Sequence, residues 1–379
     1  MAIQLSYWDN FLIEKPYDYI IIGGGLMGLW SAYELVQKKP GAQIAIVEKH
    51  PFPHGASTRN AGFACFGSIT ELLYDIGLNG EDKAISLAEQ RWKGIQKIRS
   101  TFQKHTIDFT LCGGYDCIQF TKTAHSYLAD GIITVNKLLN SITKTDNTFQ
   151  LQKELVTEKG LKYFDCLVEN SFEGSLHSGK LVYKLQQLLA AKGVAFLHNT
   201  NAIGFELVNN YMQVFTNWGS MQCQQLIVAA NAWIPQLLPQ YQEIEPGRGQ
   251  LIMTEPISNL ATTGTFHFDE GFYYWRNVGN AILLGGGRNH YKLQETTTET
   301  IVTENLKEHL TYFIKEYFNL KKTPAIQHHW SGIMAFTENK QPIIEKIHAQ
   351  LFVAFACNGM GVALTPTLAE KLSQIVLNK

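Results

Sequence analysis

Charge of one sign is what this sequence most lacks: 32 Lys and Arg stand against 33 Asp and Glu over 379 residues, a net charge of −1. A broad surface for nucleic acid or anionic membrane draws on an excess of cations, so neither footprint is expected, and nucleic acid is not expected as a partner. Long apolar runs are missing as well. No stretch of roughly 18 apolar residues occurs, so no membrane span is expected. Met1 to Lys15, with Asp9 and Glu14, lacks the apolar core of a secretory leader. The six cysteines (Cys65, Cys112, Cys117, Cys166, Cys223 and Cys357) show no C-x-x-C spacing. They read as buried thiols in a reducing compartment, and the expected location is the cytoplasm. No H-E-x-x-H, Cys/His cluster or acidic calcium loop is present, and His328-His329 on a strand would face opposite ways, so no metal site is expected. Internal repeats and low-complexity tracts are absent too. With 45 % hydrophobic and 17 % charged residues, wholesale disorder is excluded.

What is present is enough chain for about two and a half domains at roughly 150 residues each. Tyr19 to Ile22 is a continuous apolar run that reads as a buried parallel strand. It ends in Gly23-Gly24-Gly25, after which Leu26 to Lys38 has helical periodicity and Ile44 to Val47 is apolar again. Strand, glycine turn, helix and strand within about thirty residues make a βαβ unit. Helices are expected at Glu81 to Lys104, His125 to Asn140, Leu181 to Lys192, Ile301 to Phe318 and Thr367 to Leu377. Strands are expected at Cys117 to Phe120, Val194 to Leu197, Ala202 to Glu206, Met212 to Thr216, Leu226 to Ala229 and Leu351 to Phe355. After Pro235 the texture turns antiparallel, with Gly249 to Thr254, Phe272 to Arg276 and Ala281 to Leu284.

Gly23-x-Gly25-x-x-Gly28 leaves a strand and opens a helix, and Glu48 follows Gly28 by 20 residues at the end of the next strand. This is the dinucleotide-binding pattern in its proper context. Gly23 permits a tight turn, Gly25 admits a pyrophosphate to the backbone, and Gly28 brings helix and strand close. The amides of Leu26 and Met27 begin a positive helix end. Glu48 would accept from ribose hydroxyls and repel a 2′-phosphate, which disfavours NADP and leaves FAD and NAD. Gly55 to Gly62 adds small residues, backbone donors and one cation, a segment suited to a long extended cofactor. Cys357 to Pro366 holds a second glycine turn before a helix, whose positive end would favour a reduced flavin.

These segments together resemble the amine- and amino-acid-oxidising FAD superfamily that includes D-amino acid oxidase, glycine oxidase, sarcosine oxidase and γ-glutamylputrescine oxidase. The resemblance covers Tyr19 to Glu48, Gly55 to Gly62, Glu173 to Thr200, Leu226 to Trp233, Phe272 to Arg288, Trp330 to Thr337 and Phe352 to Pro366. It implies an α/β fold: a Rossmann-like FAD-binding domain of the glutathione-reductase type, interleaved with an α+β substrate domain carrying a mixed antiparallel sheet. The expected division is 1–95, 151–238 and 326–379 for the FAD domain, with 96–150 and 239–325 for the substrate domain. The resemblance also implies cofactor contacts from Gly23, Gly25, Leu26, Met27, Gly28, Glu48, Lys49, Ser57, Arg59, Asn60, Ala61, Gly62, Ala202, Ala230, Trp233, Gly359, Met360, Gly361 and Val362. Tyr274 matches a tyrosine placed over the ring, and strand alternation puts Phe272, Tyr274 and Arg276 on one face.

The departures from the family bear on the substrate. Met334 stands where some members attach flavin through a cysteine, so the FAD is expected to be non-covalent. Met334 and Gly359 occupy places where glycine-oxidase-like members carry carboxylate-gripping arginines, and Ala363 that of the sarcosine-oxidase lysine. The usual carboxylate clamp is absent, and the Asn358 to Thr365 stretch is most similar to the γ-glutamylputrescine-oxidase branch. Either the substrate lacks an α-carboxylate, or Arg276 or Arg288 holds it. The expected activity is oxidation of a C–N bond in a small amine or amino acid, with O2 or another electron acceptor. The alternatives are an NAD-linked dehydrogenase or flavin hydroxylase on the same fold, and a flavoprotein with a binding or tRNA-linked role.

Overall fold

A computed structural model describes residues 6–8 and 10–378. Residues 1–5 and Asp9, on which part of the leader reading rests, lie outside the described residues. The chain divides into two compact units: Met1–Thr58, Gly179–Pro246 and Met334–Lys379 form the first, and Arg59–Ser178 with Gly247–Ile333 the second.

The first unit is built on five parallel strands in the order Ala195–Leu197, Ile44–Val47, Tyr17–Ile22, Gly219–Val228 and Leu351–Phe355. An antiparallel meander, Ala202–Val208 and Tyr211–Thr216, continues from the amino-terminal half of Gly219–Val228. Ile343–His348 pairs antiparallel with Leu351–Phe355. The central strands are apolar throughout because the sheet buries both faces; Ile20, Ile21, Val228 and Phe352 have no appreciable exposure. Helices Leu26–Lys38 and Gly361–Leu377 pack together, with Lys38 Nζ donating to Ser373 Oγ at 2.7 Å. The second of these starts six residues before the expected Thr367, with Pro366 inside it. Proline there removes one intrahelical donor, while the Thr365 and Thr367 hydroxyls donate to the Gly361 and Leu364 carbonyls.

The second unit is an eight-stranded sheet in the order Ile326–Phe336, Glu245–Thr254, Ala281–Gly286, Tyr273–Val278, Thr265–Phe268, Gly114–Ile118, Cys166–Asn170 and Phe149–Gln152. It is mixed: Thr265–Phe268 runs parallel to Gly114–Ile118 and antiparallel to Tyr273–Val278. One face packs Phe266, Phe268, Tyr273, Trp275 and Ile282 against Leu306, Leu310 and Phe313 of helix Glu304–Tyr317. The opposite face is covered at one end by Ile69–Asn79, Glu81–Thr101 and His125–Thr143, through Ile69, Leu72, Ala88, Leu128 and Leu139 on Ile118, Val168 and Phe149.

That packing moves the expected boundaries. Residues 59–95 and 151–178, expected in the first domain, belong to the second unit. The apolar stripes of the first two of these helices lie on the second sheet, and Cys166–Asn170 is hydrogen-bonded into it. Residues 239–246 fall in the first unit and 326–333 in the second, because strand Ile326–Phe336 enters the second sheet.

Candidate functional site

Parallel pairing brings the carboxyl ends of the five strands of the first unit to one edge, where open α/β sheets receive ligands. The segments leaving that edge are Gly23–Gly25, Glu48, the turn up to Thr200, Ala229-Ala230 and Ala356–Met360. Gly24 N donates to Glu48 Oε2 at 2.9 Å, His50 N to Glu48 Oε1 at 3.1 Å, and Thr200 N to the Glu48 carbonyl at 2.9 Å. Leu26 N donates to Ser57 Oγ at 2.8 Å. Gly23 has φ +113°, and a Cβ there would come within 2.6 Å of the Ala229 carbonyl oxygen; one at Gly28 would collide with the Gly23 carbonyl. Helix Leu26–Lys38 has no side-chain hydrogen bond from its N-cap and no acidic residue in its first turn. The amides of Met27 and Gly28 have no acceptor within the helix.

The second glycine turn is held just as locally. Ala356, Asn358 and Gly359 have φ of +60°, +50° and +86°. Thr337 N donates to Asn358 Oδ1 at 2.8 Å, and Asn358 Nδ2 to the Ala356 carbonyl at 2.8 Å. Met360 is the N-cap, and Gly361 and Val362 are the first helical residues, again without a side-chain cap. Ala202 opens its strand two residues beyond Thr200. Ala230 caps the short helix Asn231–Gln236, which contains half-buried Trp233. Lys49 is exposed. Amides that donate at two helix ends, glycine clearances and a buried carboxylate that accepts are a set of groups that fits a dinucleotide.

Arg59, Asn60, Ala61 and Gly62 lie in the second unit. Gly62 N and Ser178 Oγ both donate to Asn60 Oδ1, at 2.8 and 2.6 Å. Arg59 Nη1 donates to the Ser331 carbonyl at 3.2 Å, and Trp330 Nε1 to the Arg59 carbonyl at 3.3 Å. Ala61 joins Leu251 and Leu283, with Phe63, Met253, Tyr274 and Trp330 against them, in a small apolar cluster.

Tyr274 and Arg276 share a sheet face, as alternation requires. Phe272 departs from the expectation: it precedes the strand and is 39 % exposed. The chain turns through Asp269, Glu270 and Gly271, all at positive φ, and pairing begins only at Tyr273. The Tyr274 ring lies over Gly285, where a Cβ would come within 2.5 Å of it. Burial pushes the Tyr274 hydroxyl up to about 12, with the Arg288 charge pulling the other way. Arg276 Nη2 donates to the Leu176 carbonyl at 3.1 Å, while its Nε is buried without a hydrogen-bond partner. Burial lowers the Arg276 pKa.

Sequence reasoning passed over a polar group on the same face: His267, Glu173, Glu71, Asp116 and Cys65. His267 Nε2 lies 2.6 Å from Glu173 Oε1, and Nδ1 lies 3.6 Å from Glu71 Oε2. Cys65, Glu173 and His267 are the one grouping of metal-ligand type among the described residues. No motif spacing links them, and the His267 and Glu173 atoms are already hydrogen-bonded to each other. The six cysteines are all free. Among the described residues no helix is long and apolar enough to cross a membrane.

The sequence profile of the family described as FAD dependent oxidoreductase matches residues 18–375. A probable oxidoreductase OrdL of Haemophilus influenzae is 24 % identical, over 95 % of this chain and 83 % of its own length. A D-amino acid dehydrogenase of Helicobacter pylori is 22 % identical over 94 % of both chains. The crystal structure of L-proline dehydrogenase from P. horikoshii superposes with a TM-score of 0.77 at 18 % identity, over 96 % of this chain and 94 % of that one.

Proposed function

This chain belongs to the FAD dependent oxidoreductase family, and on that premise we propose that it oxidises the C–N bond of a small amino acid or amine. The observation that carries the reading is the convergence of Gly23–Gly28, Glu48, Ser57 and Gly359–Val362 at one sheet edge. FAD, when bound, supplies the two-electron acceptor for hydride leaving the carbon beside nitrogen. Glu48 would hold the ribose, and the amides of Met27 and Gly28 the pyrophosphate. Met334 offers no thiol for a covalent tether at that place, which supports a non-covalently held cofactor.

On the substrate side, Tyr274 orients the amine, and its hydroxyl stays protonated across the neutral range. Arg288 is the better of the two arginines for a substrate carboxylate. Its charge acts on the Tyr274 hydroxyl, whereas Arg276 donates to the Leu176 carbonyl beside Gly62 and braces that loop. The protein's contribution is orientation and electrostatics. The nitrogen enters as the neutral amine, its lone pair forms the C=N bond as hydride departs, and water hydrolyses the imine. D-amino acid dehydrogenase and L-proline dehydrogenase among the similar proteins support the substrate class.

The test is anaerobic bleaching of the purified yellow protein by a panel of D- and L-amino acids, N-methyl amino acids and amines. Bleaching by at least one of them is expected. A flavin that no amine reduces, but another donor does, overturns the C–N assignment.

A further inference from the structure

The second sheet carries a transverse row of register partners, Leu251, Gly285, Tyr274, His267, Asp116 and Val168, one on each of six strands. Partners at one register face the same side. His267 and Asp116 therefore stand beside Tyr274, away from Phe266, Phe268 and Trp275 behind the sheet. His267 is 4 % exposed, and polar groups face it from several elements. Glu173 reaches Nε2 from the segment before strand Gly174–Ser175, its carboxylate filling the space over Gly114. Glu71 reaches Nδ1 from the capping box of helix Ile69–Asn79. Asp116 flanks it on the adjacent strand; its Oδ2 accepts from Thr70 N and Oγ1, and its Oδ1 is buried without a hydrogen-bond partner. Cys65 brings a thiol within 4.8 Å, with Arg91, 3.8 Å from Asp75, acting on that thiol.

Phe63 ties this cluster to Tyr274. Its ring stands edge-on to His267 at 5.2 Å and to Tyr274 at 6.1 Å. Its strand, Phe63–Ala64, pairs with Gly174–Ser175, the continuation of Glu173. We propose that His267 is a positioning residue of the substrate face: its imidazolium, held between Glu173 and Glu71, fixes the Phe63 ring and through it the seat of Tyr274. The link to turnover rests on the reading of Tyr274 given above; the clamp itself does not.

Burial opposes charge on His267, but Glu173, Glu71 and Asp116 outweigh it and raise its pKa to about 9. Without that proton the ring keeps its Nε2–H on Glu173 but turns an Nδ1 lone pair on the Glu71 carboxylate, so the Glu71 side of the clamp over Phe63 is released.

The experiment uses the full-length holoprotein labelled with 4-fluorophenylalanine, the Phe63 resonance being identified by its loss in Phe63→Leu. The resonance is expected to move with a midpoint at pH about 9. In His267→Gln it is expected to stay put. The double variant His267→Gln/Glu173→Gln, with a neutral pair in place of the charged one, serves if the single variant fails to fold. With D-alanine, sarcosine and glycine as probes, the limiting rate of flavin reduction is expected to drop roughly tenfold in His267→Gln, with KM nearly unchanged, as misplacement without lost binding predicts. A Phe63 resonance indifferent to pH, or one that titrates alike in the variants, overturns the proposal. A Phe63 transition that behaves as expected in a protein reduced by no amine supports the clamp and overturns the functional reading instead.

Discussion

The proposed contacts with cofactor and substrate can be tested at Glu48 and Arg288. Glu48 is buried and already accepts from two amides, so its charge is aligned before any ribose arrives. Hydrogen bonds to a charged acceptor contribute about 1.5–3 kcal/mol against about 1 for a neutral one. Glu48→Gln is therefore expected to weaken FAD binding roughly tenfold by titration of the apoprotein, and unchanged affinity would remove the ribose role. Arg288→Met is expected to raise KM for carboxylate-bearing substrates by at least about tenfold, the worth of one charge-assisted contact. It should leave amines without a carboxylate unaffected. Equal losses for both would return the choice to Arg276. Glu48 was legible in the sequence because its spacing from Gly28 is set by one helix and one strand. The assignment of Arg276 to loop bracing was not, because it depends on the Leu176 carbonyl exactly one hundred residues away in sequence.

The βαβ element shows why local pattern was readable. Leu26–Lys38, Ile44–Val47 and Leu351–Phe355 have the expected bounds: the helix follows a glycine turn and carries a helical apolar period, and the two strands are unbroken apolar runs buried along their whole length. Gly28→Ala should lower both the melting temperature and FAD content: its Cβ meets the Gly23 carbonyl, and overpacking a tight contact costs about 1–3 kcal/mol. Gly55→Ala is the control, with nothing within 4 Å of the added methyl and an effect within about 0.5 kcal/mol. Equal melting temperatures for the two variants would contradict the close packing of this turn. Helix Ile69–Asn79 and strand Thr265–Phe268 went unread. The first is a polar-capped segment whose apolar stripe is complete only against the second sheet. The second is four buried residues, too short for a periodicity.

Across the whole molecule, stability is linked to the cofactor and to pH. Saturating FAD at about 100 times its Kd should stabilise the folded chain by about 2.7 kcal/mol, seen as a concentration-dependent rise in melting temperature. A melting temperature indifferent to FAD would contradict the cofactor fit. For pH, His267 has its folded pKa raised to about 9 from a reference of 6.5. The folded state then binds the extra proton, so this contribution is fully present below pH about 6.5 and is lost as pH rises through about 9. The urea midpoint is expected to fall across that window in the native protein and to fall less in His267→Gln.

The sequence alone determined the nucleotide-binding edge, because a phosphate cradle is made of backbone turns and helix starts that some thirty consecutive residues specify. That edge left FAD and NAD both open; the family resemblance and FAD came from adding the segments at Gly55–Gly62 and Cys357–Pro366 and those between them. The division of the chain into units and the polar row beside Tyr274 were decided only by tertiary structure. Glu173 and His267 are 94 residues apart in sequence and meet through strand pairing, Thr265–Phe268 on Gly114–Ile118 and Phe63–Ala64 on Gly174–Ser175. Each of the two looks like an ordinary surface residue until the sheet buries both and leaves each as the other's compensating charge.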